Sequence, residues 1–358
     1  MSHSNLRRLR KSLSVYTKKT TSKALVIFLI DALIYIGAII GVILFNSILL
    51  KITFACIIGF KMASLFVIAH DAAHDSFTNN TILNRIIGRL AFLPCYHNYS
   101  LWLIVHNRLH HQFTNMKNVN SWSPLTKQEY DCLPIWRKKL ERLYRSPIGI
   151  PFNYMIERWW KNKFFPYKRL VGEYKSRYWI DFFFALSYLV CLVSFFIYQG
   201  YISYNSNVLE MLVFGIILPF IVFSFMVGFS VYQQHTHESV PWFDDNELRN
   251  SYGHVEDVTL HVKYPQWYNF LSHNVMEHTA HHIDPRIPSY NLEKAQKELN
   301  HLYGDKMKIM KFSLRNILET IKKCKLYDYK QHCWLDFEGV PTTSPTLTIE
   351  KVEYANAA

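Results

Sequence analysis

Residues 24–50 read ALVIFLIDALIYIGAIIGVILFNSILL, an apolar run broken only by the charge of Asp31. A helix needs about 20 apolar residues to cross the hydrocarbon core of a bilayer, and this run exceeds that length. We therefore expect the first membrane span here. The run is too long for the apolar core of a signal peptide and no small-residue cleavage site follows it, so we expect it to stay attached.

Further apolar runs extend this pattern along the chain. Residues 52–69, ITFACIIGFKMASLFVIA, predict a second span that follows the first through a tight turn at 46–51. A third span is expected at about Trp179–Tyr198 and a fourth at about Val208–Tyr232, joined by the uncharged link QGYISYNSN. The stretch AFLPCYHNYSLWLIV at 91–105 is too short to span and predicts an interfacial or re-entrant helix. The pattern predicts an all-α, multi-pass membrane protein with its spans in two hairpins.

Composition agrees with a membrane protein and argues against a nucleic-acid partner. Half of the residues are hydrophobic, yet the mean hydropathy is -0.02, so the apolar residues must be clustered. The net charge of +13 comes without zinc-finger spacing or a recognition-helix signature. The basic, aromatic run RWWKNKFFPYKR at 158–169 is expected to lie on lipid headgroups. The six cysteines have no CxxC pair and no disulfide-framework spacing, which predicts reduced thiols.

The distribution of Lys and Arg predicts which side of the membrane each segment occupies, because basic flanks favour the cytoplasm. Seven basic residues precede the first span, residues 106–178 carry 15 Lys or Arg against 5 Asp or Glu, and the two turns hold only Lys51. We therefore expect both termini and the middle segment in the cytoplasm. We predict three segments: a basic segment at 1–23, a membrane domain at 24–339 with its cytoplasmic cap at 70–178 and 233–339, and a flexible tail at 340–358.

Eight of the 17 histidines lie in three short stretches that total 16 residues. These residues are His70 and His74 in HDAAH, His106, His110 and His111 in HNRLHH, and His278, His281 and His282 in HTAHH. Random placement would put roughly one histidine there, so the clustering needs a cause. The first stretch follows the second span, the second lies in the middle segment and the third follows the fourth span, so all three are expected on the cytoplasmic side.

Helical spacing lets the histidines of each stretch point at a common centre. His70 and His74 are four residues apart and share one face of a helix. In the second stretch His111 lies about 140° around an α-helix from His106, so one of the adjacent pair His110 and His111 is expected to serve a different metal. Imidazole suits iron, copper, nickel and zinc alike, but eight histidines are too many for one ion. Two metal ions sharing the set is the economical interpretation.

At this point a family resemblance is evident. HDAAHDSF, HNRLHHQFTN and HNVMEHTAHH resemble the three histidine boxes of membrane fatty acid desaturases, and IPSYNL after the third is similar to acyl-lipid enzymes of the omega-6 (delta-12) type. The resemblance implies a di-iron centre, four spans, a cytoplasmic cap and oxygen-dependent formation of a cis double bond in a fatty acyl chain. It also implies a ninth ligand after the fourth span, where QQHTHE offers His235, which we favour, or His237 as a substitute.

Several other polar residues have more than one interpretation. Asp71, Asp75 and Glu277 adjoin clustered histidines and are candidates for hydrogen bonds to ring nitrogens, or else are solvated charges. Asp31 and Lys61 are expected at similar depths in the first two spans and form either a buried ion pair or, for Lys61, a side chain that extends to the interface. Four histidines outside these stretches are expected to be structural: His97, His254, His261 and His273.

The resemblance leaves the exact reaction and partners open. The chain carries no flavin, dinucleotide or HPGG haem motif, so the electron donor is expected to be a separate protein, a ferredoxin or a b-type cytochrome. The acyl carrier is a membrane lipid, an acyl-carrier protein or coenzyme A. A histidine-box hydroxylase or ketolase acting on a lipid, alkane or carotenoid is the nearest alternative. A metal transporter is disfavoured, because its ligands would line a path within the membrane.

Overall fold

The computed structural model describes residues 3–119, 122–164, 175–203, 206–252, 258–304 and 307–347. Its helices in chain order are α1 His3–Leu13, α2 Thr21–Leu44, α3 Ile48–Ala73, α4 Thr81–Phe92, α5 Tyr99–Trp102, α6 Lys127–Asp131, α7 Ile135–Tyr144, α8 Gly149–Asn153, α9 Lys175–Ile202, α10 Val208–His235, α11 Asn246–Tyr252, α12 Gln266–Leu271, α13 His278–Ile283, α14 Ser289–Tyr303 and α15 Leu314–Lys323. Stretches of π-helix lie at Leu103–His110, Tyr154–Phe164 and, within α10, Val213–Ile217.

The four helices α2, α3, α9 and α10 are long and apolar enough to cross a membrane, which confirms the predicted number of spans. α3 is the central helix and packs against α2, α4 and α10. Gly59 permits the close approach of α3 to α10, because a Cβ at this position would lie 2.6 Å from the carbonyl oxygen of Pro219. The outward faces of α2 and α9 expose Leu33, Leu44 and Phe184, as expected of lipid-facing surfaces.

The link between α2 and α3 is shorter than the sequence predicted. α2 ends at Leu44 and α3 begins at Ile48, so Lys51 belongs to the start of helix α3 and not to the link between the two helices. The Lys51 ammonium is buried, lies 2.8 Å from Glu210 Oε2 and also bonds the Ser206 hydroxyl. Hydropathy places Lys51 in the turn because it treats every lysine as polar and takes no account of pairing with a distant carboxylate.

A buried ion pair joins α2 and α3, as one of the two sequence interpretations predicted. Lys61 Nζ lies 2.5 Å from Asp31 Oδ1. The other carboxylate oxygen of Asp31 lies 2.5 Å from His273 Nε2, a contact that the sequence did not predict. Because His273 follows α12, which lies outside the four long apolar helices, Asp31 connects α2 and α3 to the segment between α12 and α13.

The residues at 91–105 do not form one interfacial helix. α4 ends at Phe92, and the chain resumes helical structure at α5, which continues into the π-helix Leu103–His110. The segment is buried in the protein core. Asp181 of α9 fixes it, since Asp181 Oδ2 accepts from the backbone N–H of Ser100 at 2.8 Å and Oδ1 from Arg89 Nε at 2.7 Å. Pro94 and His97 interrupt the apolar run, and the helical structure breaks there, between α4, which exposes Ile82 and Ile86, and the buried α5.

The all-α prediction needs a correction, because the described residues outside the four long helices include two small sheets. The strands are β1 His261–Lys263, β2 Ile309–Lys311, β3 Leu326–Asp328 and β4 Cys333–Leu335; β1 pairs with β2 in parallel and β3 with β4 antiparallel. Strands of three residues are too short to leave an alternating pattern in the sequence.

The predicted flexible tail at 340–358 is ordered in its first part. Thr342 N–H donates to the Trp334 carbonyl at 2.8 Å and Thr346 N–H to the His332 carbonyl at 2.7 Å. Leu347 is buried against Met116 and Phe243. Residues 348–358 lie outside the described part of the chain, so the prediction stands only as an expectation for them.

Candidate metal centre

The nine histidines named from the sequence lie in two adjacent groups. The first group is His70, His74, His106, His111 and His281, and the second is His110, His235, His278 and His282. Within each group one ring nitrogen per residue lies within 4.8 Å of the others. The groups adjoin each other, since the ring centroids of His111 and His282 are 4.5 Å apart. Two sites that share no ligand but lie side by side fit a pair of ions better than one ion.

A π-helix divides the second histidine stretch between the groups. Its hydrogen bonds run from residue i+5 to residue i, and the His111 N–H accordingly bonds the His106 carbonyl at 3.2 Å. His106 and His111 therefore lie side by side, with their Nε2 atoms 3.1 Å apart. His110 joins the other group. The sequence predicted that one of the adjacent pair would separate, and the π-helix decides that it is His110.

The spacing of the ring nitrogens fits metal coordination. His111 Nε2 lies 3.1 Å from His281 Nε2, and His278 Nε2 lies 2.9 Å from both His235 Nε2 and His282 Nε2. Two nitrogens bound at right angles to one ion about 2.1 Å away would be about 3.0 Å apart. His74 Nε2 is buried and has no hydrogen-bond partner in the described residues. A bound ion would satisfy this nitrogen.

Six of the clustered histidines have a lowered ring pKa, which favours the neutral form that binds metal. Burial, reinforced by neighbouring rings, holds the ring pKa well below its usual value in His74, His106, His111, His278, His281 and His282. A lowered imidazole pKa favours the neutral ring, whose lone pair is available to an ion. At neutral pH these side chains need lose no proton before metal binds.

Three side chains contact the opposite ring nitrogen and so orient the rings. Asn115 Oδ1 lies 3.1 Å from His235 Nδ1, and Thr114 Oγ1 lies 3.3 Å from His282 Nδ1. Asp71 Oδ1 lies 3.3 Å from His70 Nδ1, as the sequence analysis allowed. Contacts of this kind fix ring orientation and tautomer around metals. Thr114 and Asn115 were not predicted from the sequence; both lie in QFTN directly after HNRLHH, and the rings that they contact are 168 and 120 residues away along the chain.

The other two candidate carboxylates do not contact clustered histidines among the described residues. Asp75 contributes its backbone carbonyl, which accepts from Lys19 Nζ at 2.6 Å. Glu277 accepts from Asn269 Nδ2 at 2.7 Å, and its second oxygen lies 2.7 Å from His261 Nε2 without hydrogen-bond alignment. Adjacency to a clustered histidine in the sequence does not predict contact with its ring, because neighbouring residues on a helix point in different directions.

The remaining histidines of the sequence analysis have varied surroundings. His97 is buried, and its Nε2 lies 2.7 Å from the Tyr154 hydroxyl. His261 contacts Glu277, and His273 contacts Asp31. His254 lies outside the described residues. His237 is separate from both groups, with its Nδ1 2.8 Å from the Ser239 hydroxyl.

A cavity of about 690 Å³ reaches the histidines of both groups. Its histidine wall is formed by His70, His106, His110, His235, His278 and His281. Apolar side chains of α3 and α10, among them Phe60, Val67, Met226 and Val227, form much of the remainder. A long apolar ligand placed between α3 and α10 would therefore meet the candidate metal positions.

The fold and the site define a helical membrane protein with paired histidine groups beside an apolar cavity. A family model for fatty acid desaturases matches residues 46–312, well over half of the sequence. The chain belongs to the fatty acid desaturase family.

Curated relatives agree with this membership. The chain is 29% identical over 294 residues to a chloroplastic omega-6 fatty acid desaturase of Spinacia oleracea, covering 82% of this chain and 63% of the relative. It is 27% identical over 288 residues to an sn-1 oleoyl-lipid 12-desaturase of Picosynechococcus, covering 78% and 77%. It is 26% identical over 247 residues to an sn-1 acyl-lipid omega-3 desaturase (ferredoxin) of Synechocystis, covering 68% and 65%. The chain thus spans less than two thirds of the length of the chloroplastic relative.

Proposed function

We propose that the chain is an oxygen-dependent di-iron desaturase that introduces a cis double bond into a lipid-linked fatty acyl chain. The observation that carries this proposal is the apolar cavity between α3 and α10, because histidines of both groups line it. The relatives named as acyl-lipid desaturases support the choice of a lipid carrier.

We assign one iron ion to each histidine group, with His235 and not His237 as the ninth ligand. Iron held by the two groups would supply, with O₂ and two electrons, the oxidising power needed to remove hydrogens from two unactivated methylene groups. The all-nitrogen donor set and the lowered ring pKa of six of these histidines support this assignment.

The protein's own part is to place the chain and keep water away. The Trp102 ring stacks on His106 with centroids 4.7 Å apart and an interplanar angle of 15°, and it packs edge-on against Phe66 at 4.8 Å. Both rings line the cavity beside His70 and His106 of the first group. They would hold neighbouring methylenes beside the ions and exclude water that would otherwise compete for the oxidant.

The proposed topology has the four spans in two hairpins, with both termini and the cap in the cytoplasm. The bias of Lys and Arg toward the N-terminal segment and the middle segment supports it. The Lys51–Glu210 pair lies at the ends of α3 and α10 that are far from the histidines. Because its charge is paired with Glu210, Lys51 is compatible with either side of the membrane. It is therefore no evidence for or against this orientation.

The electron donor is proposed to be a separate ferredoxin. The relative whose name includes ferredoxin supports this choice over a b-type cytochrome, the other donor considered. The two donors are distinguished by supplying each in turn to the purified protein and measuring product.

Product analysis tests the proposed function. The gene is expressed, with a ferredoxin and its reductase, in a host that lacks polyunsaturated fatty acids, and the acyl chains of each lipid class are analysed by mass spectrometry. We expect a new cis double bond and a loss of about two mass units in membrane lipids. A gain of about sixteen mass units would mean hydroxylation, and an unchanged profile with an active donor would refute desaturation.

The choice between His235 and His237 has its own test. His235→Ala should lower the iron content by about one ion per chain, because His235 Nε2 faces His278 Nε2 at 2.9 Å. His237→Ala should retain the wild-type iron content. Iron is counted by plasma mass spectrometry on purified protein. Loss of iron only in the His237 variant, or in neither, would contradict the assignment.

A further inference from the structure

The N-terminal helix α1 packs directly on the helices of the third histidine stretch. Its Leu9 and Leu13 are buried in a cluster with residues of α13, α14 and the loops that flank them. The cluster consists of Leu9, Leu13, Ala280, Ile283, Ile287, Leu292, Ala295, Leu299 and Met307. α1 thus covers the outside of the helix that carries His278, His281 and His282. It also lies outside the residues that the family model matches.

The outer side of α1 carries only positive charge. Arg7, Arg8 and Lys11 are exposed, and the helix sequence HSNLRRLRKSL contains no acidic residue. These three residues are called the α1 basic face. Nothing in α1 itself offsets their charge, so the face presents a concentrated positive potential to an approaching anionic partner.

One side chain of α1 links this face to the candidate metal centre. Arg10 Nε donates to the carbonyl oxygen of Ile283 at 2.7 Å. Ile283 is the last residue of α13 and follows His282 directly. A cation at a helix C-terminus is favourable, because the last carbonyls have no partner within the helix. Arg10 lies between Arg8 and Lys11 in the sequence, so the helix that carries the α1 basic face is hydrogen-bonded to the residue that follows His282.

A basic helix next to a membrane span could also bind anionic lipid. Helices that lie on a bilayer bury their apolar face among the acyl chains. In α1 that face is already occupied, since Leu9 and Leu13 are 2% and 0% exposed and contact protein. Only the charged side remains available, and this favours a soluble anionic partner over insertion into lipid.

We propose that the α1 basic face is the docking site of an acidic one-electron donor protein. This inference rests on the proposed function, which needs a separate donor. Docking here would place the donor's redox group beside α13 and so near both histidine groups, while the charges speed encounter and orient the donor. The Arg10 contact keeps α1 fixed on α13, so the docking surface and the metal centre move as one unit.

Binding of an oxidised plant-type [2Fe–2S] ferredoxin tests the proposal without turnover. The full chain in uncharged detergent is titrated calorimetrically at low ionic strength. The variant Arg7→Glu/Arg8→Glu/Lys11→Glu should bind roughly 10-fold more weakly or worse, and the difference should shrink as salt rises. The matched control Arg315→Glu/Lys322→Glu/Lys330→Glu has the same charge change at exposed positions of α15 and the β3–β4 turn, and should stay within about twofold of wild type.

The outcomes separate the alternatives. Equal weakening in both variants would mean a general charge effect and would overturn the proposal, as would unchanged affinity in the α1 variant. If ferredoxin affinity is unchanged but phosphatidylglycerol no longer stabilises the variant as it stabilises wild type, the face binds lipid and the proposal fails. A thermal midpoint equal to wild type verifies folding of each variant. Because affinity is measured without chemistry, failure here leaves the product analysis untouched, and absence of product leaves the affinity result standing.

Discussion

His281→Ala should abolish product formation and lower the iron content from about two ions per chain toward one. His281 is central to the first group, because its Nε2 lies 3.1 Å from His111 Nε2 and its ring centroid lies 4.5 Å from that of His70. Loss of one ligand lowers the affinity of the first group for its ion and leaves the other buried ring nitrogens next to an empty space. We expect activity to fall roughly 100-fold or more, measured as new double bonds per mole of protein in an assay with saturating donor.

The control for this experiment is His301→Ala, which removes an exposed histidine at the end of α14. It should retain both iron and activity. A His281 variant that keeps wild-type iron and forms product would mean that the first group is a structural histidine cluster. Retained iron with lost activity would instead place His281 among groups that act on substrate, and would also contradict its assignment as a ligand.

Asp31→Asn should destabilise the folded protein by about 3–5 kcal/mol, since it leaves the buried Lys61 ammonium without a counter-charge. The substitution conserves shape, so the loss reports charge and not packing. The midpoint of thermal unfolding in detergent measures the effect. The double variant Asp31→Asn/Lys61→Met should recover much of the lost stability, because both charges are then absent.

Exchanging the two residues sharpens the same test. Asp31→Lys/Lys61→Asp restores an ion pair between α2 and α3 but places a cation next to His273, which lies 2.5 Å from Asp31 in the native protein. Rescue by exchange should therefore be partial and should improve when His273→Ala is added. As a surface reference, Arg315→Ala breaks an exposed pair with Glu319 and should change stability by less than about 1 kcal/mol. If Asp31→Asn also changed stability by less than about 1 kcal/mol, the result would contradict a stabilising role for the contacts of Asp31 with Lys61 and His273.

The sequence predicted those features that depend on local composition or helical spacing. Long apolar runs specify spans directly, because a bilayer sets their length. Counting depth along two helices placed Asp31 and Lys61 at similar levels, which made a buried ion pair one of two interpretations. The histidine stretches identified eight of the nine clustered residues, since spacing on a helix fixes which side chains share a face. The ninth, His235, was implied only by the family resemblance, with His237 as a substitute.

The features that were missed depend on long-range contacts or irregular backbone. The assignment of His110 and His111 to different groups depends on a π-helix, which leaves no recognised pattern in sequence. His273 reaches Asp31 across 242 residues from a backbone with φ of 53°, and Lys51 pairs with Glu210 across 159. The two interpretations offered for Glu277, a hydrogen bond to a clustered ring or a solvated charge, did not include its buried contacts with Asn269 and His261. Each of these depends on tertiary packing that no local window contains.

The most direct test of the two-group assignment is the metal content of the purified wild-type chain after reconstitution with ferrous iron under anaerobic conditions. Plasma mass spectrometry should find about two iron ions per chain, with little zinc or copper. A stoichiometry of one ion, or iron that binds no better than to a chain lacking the second group through His278→Ala/His282→Ala, would contradict a paired iron centre.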